Sequence, residues 1–291
     1  MATVICVGCG MMGSRLVQAF LDEKHDVAVV NRTRERVLPF ERQGAKYYVS
    51  LSDAVKKVTA KLIVMNVSDY DVSTAIICQD PETVRGKIIV NVSTGEAKKV
   101  SAFQQLIEDA GGSFLCGVLT CYPRNIGPHG NGSIVFAGNA DSYRQAAPIL
   151  AALSPFEIFV GEDPTKASIV DTAWLTTHYG LYWGIIQGAA ACKGNGIDVA
   201  HYADAIKIMT TALLDMICEN IKKTVAVDTY DAASDCEMSM QVASIGEIVR
   251  GLEHAGFDAG PLQAIGLLAE KAAAAGDGDK NFEALAKHLQ R

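Results

Sequence analysis

The stretch Val4-Ile5-Cys6-Val7-Gly8-Cys9-Gly10-Met11-Met12-Gly13 decides how this chain reads. Val4–Val7 is a short apolar strand, a G-x-G-x-x-G follows it directly, and from Met11 to about Glu23 apolar residues recur at helical spacing (Leu16, Val17, Phe20, Leu21). In a strand–turn–helix each glycine has a separate task. Gly8 permits the tight turn, Gly10 lets the backbone approach a pyrophosphate, and Gly13 lets the helix pack closely on the strand. The N–H groups at the start of the helix, with its positive end, then favour phosphate. The unit reads as a dinucleotide-binding turn.

Outward from it, strand and helix alternate. Val27–Val30 is the next strand and Arg34–Gln43 the next helix, while Leu62–Met65 and Ile88–Asn91 are further strands. Shorter apolar segments at Phe114–Leu119, Ser133–Ala137 and Phe156–Val160 read as later strands of the same domain. Such alternation predicts a mostly parallel sheet with helices on both faces. From about Asp163 the strand signals stop and Ala, Leu, Ile and Met recur with helical period. Thr165–Lys193 lacks proline and reads as one helix of about 29 residues, roughly 44 Å long, ended by Asn195-Gly196. Further helices are expected around Val199–Thr224, Glu237–Ala255, Leu262–Ala275 and Phe282–Gln290. The predicted architecture is α/β: an N-terminal Rossmann-type doubly wound domain (1–162), a long interdomain helix (163–194) and an all-α C-terminal domain (195–291).

Composition narrows the function classes. The 291 residues are 49% apolar and 20% charged, which supports a sizeable core and excludes a disordered chain. A net charge of −7 argues against nucleic acid as a partner, since neutralising many phosphates requires a basic surface. No apolar run approaches the roughly 18 residues of a membrane span, and Met1-Ala2-Thr3 carries no basic leader, so a cytoplasmic protein is expected. The eight cysteines are too sparse for a disulfide scaffold. Cys6-Val7-Gly8-Cys9 fits C-x-x-C, but Cys6 falls in the strand, Cys9 falls in the glycine turn, and no second pair completes a tetrahedral site. Both read as buried reduced thiols, with no metal expected.

The end of the second strand selects the dinucleotide. An enzyme using NAD usually carries Asp or Glu there to accept hydrogen bonds from the ribose hydroxyls. This chain has Asn31-Arg32-Thr33-Arg34-Glu35-Arg36 instead. A carboxylate would repel a 2′-phosphate, whereas guanidinium groups bind it bidentately, so NADPH is the expected cofactor. The residues expected to contact it are Gly8, Gly10, Met11, Met12, Gly13, Asn31, Arg32, Thr33, Arg36, Val67 and Thr94.

These residues, together with Val90-Asn91-Val92-Ser93-Thr94-Gly95, Tyr122-Pro123-Arg124-Asn125-Ile126-Gly127, Gly161-Glu162-Asp163-Pro164 and Met240-Gln241, carry a resemblance that runs nearly end to end. The chain resembles the imine reductases and reductive aminases, relatives of the β-hydroxyacid dehydrogenases. Hydroxyacid dehydrogenases of this kind use the lysine of a K-x-x-x-N on the interdomain helix to stabilise a developing alkoxide. Here the matching positions are Asp171 and Leu175, and Lys166 is no substitute because Val170 lies four residues after it. A carboxylate opposes an alkoxide but stabilises an iminium cation, so the exchange points to C=N reduction.

The resemblance assigns Asp171 and Tyr179 to catalysis, with Tyr179 assisting proton transfer. It places Trp174, Met240 and Gln241 around the substrate; Tyr122 and Leu175 are further pocket candidates, His178, about 20° round and roughly 10 Å along the helix from Asp171, is a site wall or a dimer contact, and Arg124 is a candidate for a carboxylate, the cofactor or a surface charge. Thr94 and Ala212 stand where reductive aminases resemble one another in having Asn and Trp, which favours a preformed imine over coupling of a free ketone and amine. Relatives resemble one another in forming a domain-swapped homodimer around the long helix, and the apolar texture on nearly every face of Ala167–Ala191 fits a buried helix. The alternatives are a dehydrogenase of short hydroxyacids and a catalytically silent NADPH-binding protein.

Overall fold

The computed structural model describes residues 2–230 and 236–290 and divides into two compact units, Met1–His178 and Tyr179–Arg291. The first unit runs β1 (Thr3–Val7), α1 (Met11–Asp22), β2 (Asp26–Val30), α2 (Leu38–Glu41), β3 (Lys46–Tyr48), α3 (Leu51–Lys57), β4 (Leu62–Met65), α4 (Tyr70–Gln79), β5 (Ile88–Asn91), α5 (Ala97–Asp109), β6 (Ser113–Leu119), β7 (Ser133–Gly138), α6 (Ala140–Leu150) and β8 (Phe156–Phe159). The helix α7 (Thr165–Gly194) begins in this unit.

The strands form one sheet in the order β3-β2-β1-β4-β5-β6-β7-β8, and every neighbouring pair is parallel except β6 with β7. Alternate residues of the central strands feed two cores. Val4, Cys6, Val27, Val29, Leu62 and Val64 pack under Leu16, Val17 and Phe20 of α1 on one face. Ile5, Val7, Ala28, Val30, Ile63 and Met65 pack under residues of α3, α4 and α5 on the other, among them Leu51, Tyr70 and Phe103. Burial on both faces explains why these strands read as nearly continuous apolar runs. The order reverses between β1 and β4, and the crevice at such a switch point, outside the carboxyl ends of the strands, is where this architecture binds ligands.

The second unit contains α8 (Val199–Lys223), α9 (Met238–His254) and α10 (Gly260–Ala272). Its core is small: Met238, Ala269, Ala272 and Ala284 form one cluster, and Ile245, Val249 and Ala259 another. Near the end of the chain the carboxylate of Asp277 accepts from Lys287 Nζ at 2.7 Å and pairs with His288 Nε2 at 2.6 Å. Hydrogen bonds from Lys287 and with His288 hold its carboxyl below the usual range.

Several elements differ from the sequence reading. Arg34–Gln43 is not one helix but a 3-10 turn at Arg34–Arg36 followed by the single turn of α2, because Pro39 fixes its backbone and lacks an N–H to donate. β3 has only three residues at the sheet edge, too few to show alternation. The helix expected to reach Ala275 passes into a π turn at Ala273–Asp277, in which Gly276 has φ +105°. The last segment is a 3-10 helix, Phe282–His288. Of α7, only Ala167, Ser168 and Asp171 are buried within one chain, so the expectation of a buried helix is not met by the chain alone.

The turn after β1 tolerates no side chain at two positions. Gly8 has φ +98°, and a Cβ there would lie 2.1 Å from the carbonyl oxygen of Asn66. A Cβ on Gly13 would lie 2.4 Å from the carbonyl oxygen of Gly8. Gly8→Ala is expected to cost about 2–4 kcal/mol, combining a left-handed residue with overpacking against backbone. Urea unfolding of the variant beside the wild type measures it, and a loss under about 1 kcal/mol would mean the turn relaxes freely.

Candidate active site

The cleft at the switch point is built from the glycine turn, the end of β2 and the end of β4. Gly8 N donates to Val30 O at 2.9 Å, and Asn66 N donates to Val7 O at 2.8 Å, so three strand ends are fixed together. Gly10 caps α1 with nothing within 4 Å of where its Cβ would stand, leaving its backbone open to a close ligand. Asn31 joins the turn to the basic segment: its Oδ1 accepts from Cys9 N at 2.9 Å, and its Nδ2 donates to Thr33 O at 2.7 Å. Cys9 adds a second tie, its Sγ donating to Arg36 O at 3.6 Å. Burial raises the thiols of both Cys6 and Cys9, consistent with inert packing. Among the described residues no His, Cys, Asp or Glu cluster fits a metal ion.

The cleft has a volume of about 680 Å³. Of the residues expected to contact the cofactor, Gly8, Gly10, Met11, Met12, Asn31, Arg32, Thr33, Arg36 and Val67 line it, while Gly13 sits beneath it against Gly8. Arg32 and Arg36 stand at the position where a carboxylate would otherwise meet the ribose, and Val49, Leu51, Val72 and Ile76 give an apolar wall suited to a planar base. A dinucleotide with a 2′-phosphate therefore fits the residues present.

A smaller cleft of about 280 Å³ adjoins it, sharing Met12, Asn66, Val67 and Ser68, and adding Val92, Ser93, Thr94, Gly117, Val118, Leu119 and Asp171. Its floor is tied down by hydrogen bonds. Val67 N donates to Ser93 Oγ at 3.1 Å, Asn66 Nδ2 donates to Val92 O at 3.3 Å, and Ser93 N donates to Asn91 Oδ1 at 3.0 Å. Ser168 Oγ donates to Gly95 O, fixing the start of α7 to the same loop. That contact sets the height of Asp171, one turn further along and 7% exposed. Burial raises its carboxyl above the usual range. Behind it, Tyr70 Oη and Cys116 Sγ share a 3.4 Å hydrogen bond, and burial pushes the Cys116 thiol up to about 11.

Further along α7, the ring of His178 lies beside that of Trp174 and beside that of Tyr122, whose Oη is 3.3 Å from His178 Nε2. Leu175 is half-buried and lines neither cleft. Arg124 is exposed in the 3-10 turn Pro123–Asn125. Tyr179 belongs to the second unit, where its ring is exposed. Met240, exposed, and Gln241, half-buried, lie in the first turn of α9 in that unit. Sequence reasoning missed Asn66, Ser68, Ser93 and Gly117–Leu119. All sit at or just beyond the ends of β4, β5 and β6, and the rule that ligands bind at the carboxyl ends of parallel strands is the signal that would have found them.

Comparison with known proteins agrees with this layout. Residues 3–161 match the model of the NAD binding domain of 6-phosphogluconate dehydrogenase, and residues 163–291 match the NADPH-dependent reductive aminase-like C-terminal domain. An NADPH-dependent reductive aminase of Aspergillus oryzae is 25% identical over 287 residues, covering 97% of this chain and 95% of its own. The imine reductase of Myxococcus stipitatus, solved in complex with NADP+, superposes with a TM-score of 0.90 at 26% identity over 99% of this chain and 100% of that one. The reductive aminase of Aspergillus terreus, solved with NADPH and ethyl levulinate, has a TM-score of 0.91 at 22% identity over the full length of both chains, a likeness of fold. The chain belongs to the family of the NAD binding domain of 6-phosphogluconate dehydrogenase, in the branch whose C-terminal domain is of the NADPH-dependent reductive aminase-like kind.

Proposed function

We propose that the protein is an NADPH-dependent imine reductase, and one observation carries the reading. Asp171, a desolvated carboxylate, lines the same small cleft as Met12, Val67 and Thr94, where the coenzyme cleft continues past the switch point. Gly8, Gly10 and Met11 would hold the pyrophosphate on backbone N–H groups and the N-terminus of α1. Arg32, Thr33 and Arg36 would hold the 2′-phosphate. When bound, the reduced nicotinamide supplies a hydride to the carbon of a C=N bond.

Asp171 acts through its charge. In a water-poor cleft a carboxylate attracts a neighbouring cation far more strongly than it would in bulk water, and it holds the substrate in the protonated iminium form that accepts a hydride readily. Tyr179 is assigned the supporting proton transfer, and Met240 and Gln241 pocket positions, on the resemblance of the sequence. The substrate is a preformed imine, with reductive amination of a carbonyl and an amine as a secondary activity. Hydroxyacid dehydrogenation is disfavoured by the same carboxylate, because reducing a ketone would develop negative charge beside Asp171. A silent binding protein is disfavoured by the position of that buried acid.

The assembly is proposed to be a domain-swapped homodimer in the cytoplasm. The described residues contain no helix long and apolar enough to cross a membrane. α8 has no buried residue and exposes Ile208, Met209, Leu213 and Leu214, an apolar surface that a second copy would cover.

Three measurements test this reading. First, NADPH consumption with 1-pyrroline should fall by two to three orders of magnitude in Asp171→Ala, the range of a lost electrostatic stabiliser, while a β-hydroxyacid with NADP+ gives no turnover. Because burial raises the Asp171 carboxyl, the wild type should gain activity as pH climbs through a point above the usual carboxylate range, and Asp171→Asn should lack that acid limb. A fully active Asp171→Ala would place the chemistry elsewhere. Second, Arg32→Ala combined with Arg36→Ala should weaken NADPH in a fluorescence titration by about 100-fold, as expected for losing charge-assisted hydrogen bonds, and leave NADH within about threefold. Equal loss of both coenzymes would remove these residues from the 2′-phosphate. Third, sedimentation should give a particle of twice the 31.0 kDa chain, and a monomer at micromolar concentration would overturn the dimer.

A further inference from the structure

Tyr70, the first residue of α4, is 1% exposed and takes no direct part in the reduction proposed for the small cleft. Its ring meets Phe103 of α5 edge-on at 5.4 Å between centroids, and Phe103 meets Phe114 of β6 edge-on at 5.3 Å. Such packing fixes the orientation of a ring as well as burying it. The first turn of α4 is anchored separately. Asp69 Oδ1 accepts from Val72 N at 2.8 Å, and Ser73 Oγ, which donates to Asp69 O, accepts from Asn91 Nδ2 at the end of β5 at 2.9 Å. Both the helix start and the ring it carries are thus held in place.

The ring occupies the space that a side chain at position 95 would need. A Cβ on Gly95 would lie 2.3 Å from Tyr70 Cδ2 and 2.8 Å from Cε2, so Tyr70 sets how closely the loop after β5 approaches α4. The carbonyl of Gly95 accepts from Ser168 Oγ, and Asp171 stands three residues further along α7, about 60° round and roughly 4.5 Å along the axis. A second link runs through β6. Tyr70 Oη and Cys116 Sγ are 3.4 Å apart, and Gly117, the next residue, lines the small cleft with Asp171. Burial above all, with the Asp171 charge a lesser cause, raises both the phenol and the thiol, so both stay neutral near the carboxylate. Among the described residues lining that cleft, only Asp171 is ionisable.

We infer that Tyr70 is a positioning residue for Asp171: its ring, seated against Gly95, sets the place of the carboxylate through Ser168 and closes the back of the small cleft to water. The inference rests on the imine-reductase reading for what Asp171 does, though not for where it stands. Phenylalanine would keep the ring, whereas leucine would leave the space beside Gly95 part-empty. A reacting group misplaced by about an ångström costs a large factor in rate, and water admitted beside a carboxylate eases its ionisation.

The test places Tyr70→Leu and Tyr70→Phe in the wild-type and Asp171→Asn backgrounds, with NADPH and 1-pyrroline. Tyr70→Leu should lower kcat about tenfold in the first background and by less than about twofold in the second, because its effect passes through Asp171. NADPH affinity by fluorescence titration should stay within about twofold, since the glycine turn is untouched. The acid limb of the Tyr70→Leu profile should move down toward the usual carboxylate range, and Tyr70→Phe should restore both kcat and limb. Equal losses in both backgrounds, or an acid limb that stays in place, would make Tyr70 a core residue only and overturn the inference. If Tyr70→Leu does not fold, Ser168→Ala cuts the same path one link later and carries the same expectations. A carbon-13 NMR titration of carboxyl-labelled aspartate reads the Asp171 midpoint without turnover, its signal assigned by its loss in Asp171→Asn. If the wild type reduces no imine but Tyr70→Leu lowers that midpoint and Tyr70→Phe does not, the imine-reductase reading fails and the positioning role stands. A midpoint indifferent to both Tyr70→Leu and Ser168→Ala removes the role whatever the kinetics.

Discussion

Two backbone carbonyls, of Gly8 and Asn66, stand where the Cβ atoms of Gly13 and Gly8 would otherwise be. This close approach brings the end of β1, the first turn of α1 and the end of β4 nearer than any side chain permits. The rest of the coenzyme cleft follows from it. Asn66 is held at the switch point by Val7 O, and Asn66 and Val67 in turn hold Val92 and Ser93 beyond β5. A Cβ on Gly95 would strike the ring of buried Tyr70 at 2.3 Å, and the same residue's carbonyl receives Ser168 of α7. From the first glycine to the Asp171 carboxylate, each segment is located by a backbone contact or a short polar tie. Side-chain packing alone would leave more freedom.

The electrostatics divide along the same path. At the β2 end the charges are cationic and solvated, with Arg32 and Arg36 exposed along a large cleft. At the other end one carboxylate sits in a small cleft, and burial raises its carboxyl. The first arrangement suits an anionic group with little penalty for desolvation. The second is costly in the resting protein and repays its cost only when a cation develops beside it. On the proposed function, the scaffold fixes the position of that side chain and its charge decides what it can stabilise, since a lysine suits a developing alkoxide and an aspartate an iminium.

Much of this was legible in the residues. The glycine spacing, the four central strands and the start and length of α7 all follow from local pattern, because parallel strands buried on both faces and a proline-free apolar run leave strong signals. Asn31 was legible as a cleft residue but not as the tie between Cys9 and Thr33, since a hydrogen bond between two loops has no period. Arg34–Gln43 misled because arginine and glutamate favour helix while Pro39 forbids its continuation. The floor of the small cleft was invisible for another reason. Asn66, Ser68 and Ser93 are ordinary polar residues after ordinary strands, and only the strand order, which no single segment encodes, brings them to one crevice.

The helical unit poses the opposite problem, since its pattern is strong and its core is weak. Its two buried clusters contain mostly alanine and β-branched residues, and α8 buries nothing although Ile208, Met209, Leu213, Leu214, Met216, Ile217 and Ile221 all lie on it. Hydrophobic burial is the main favourable term in folding, so a helix of 25 residues that leaves such side chains in water contributes little to holding its own unit together. An apolar surface of that extent is stabilising only when another surface covers it, and the energy that secures the helices then depends on protein concentration. The sheet unit, with its two dense cores, carries its stability internally. Dilution should therefore loosen α8 before it disturbs the glycine turn, and hydrogen exchange in α8 amides should quicken with dilution while that of β1 and β4 stays constant.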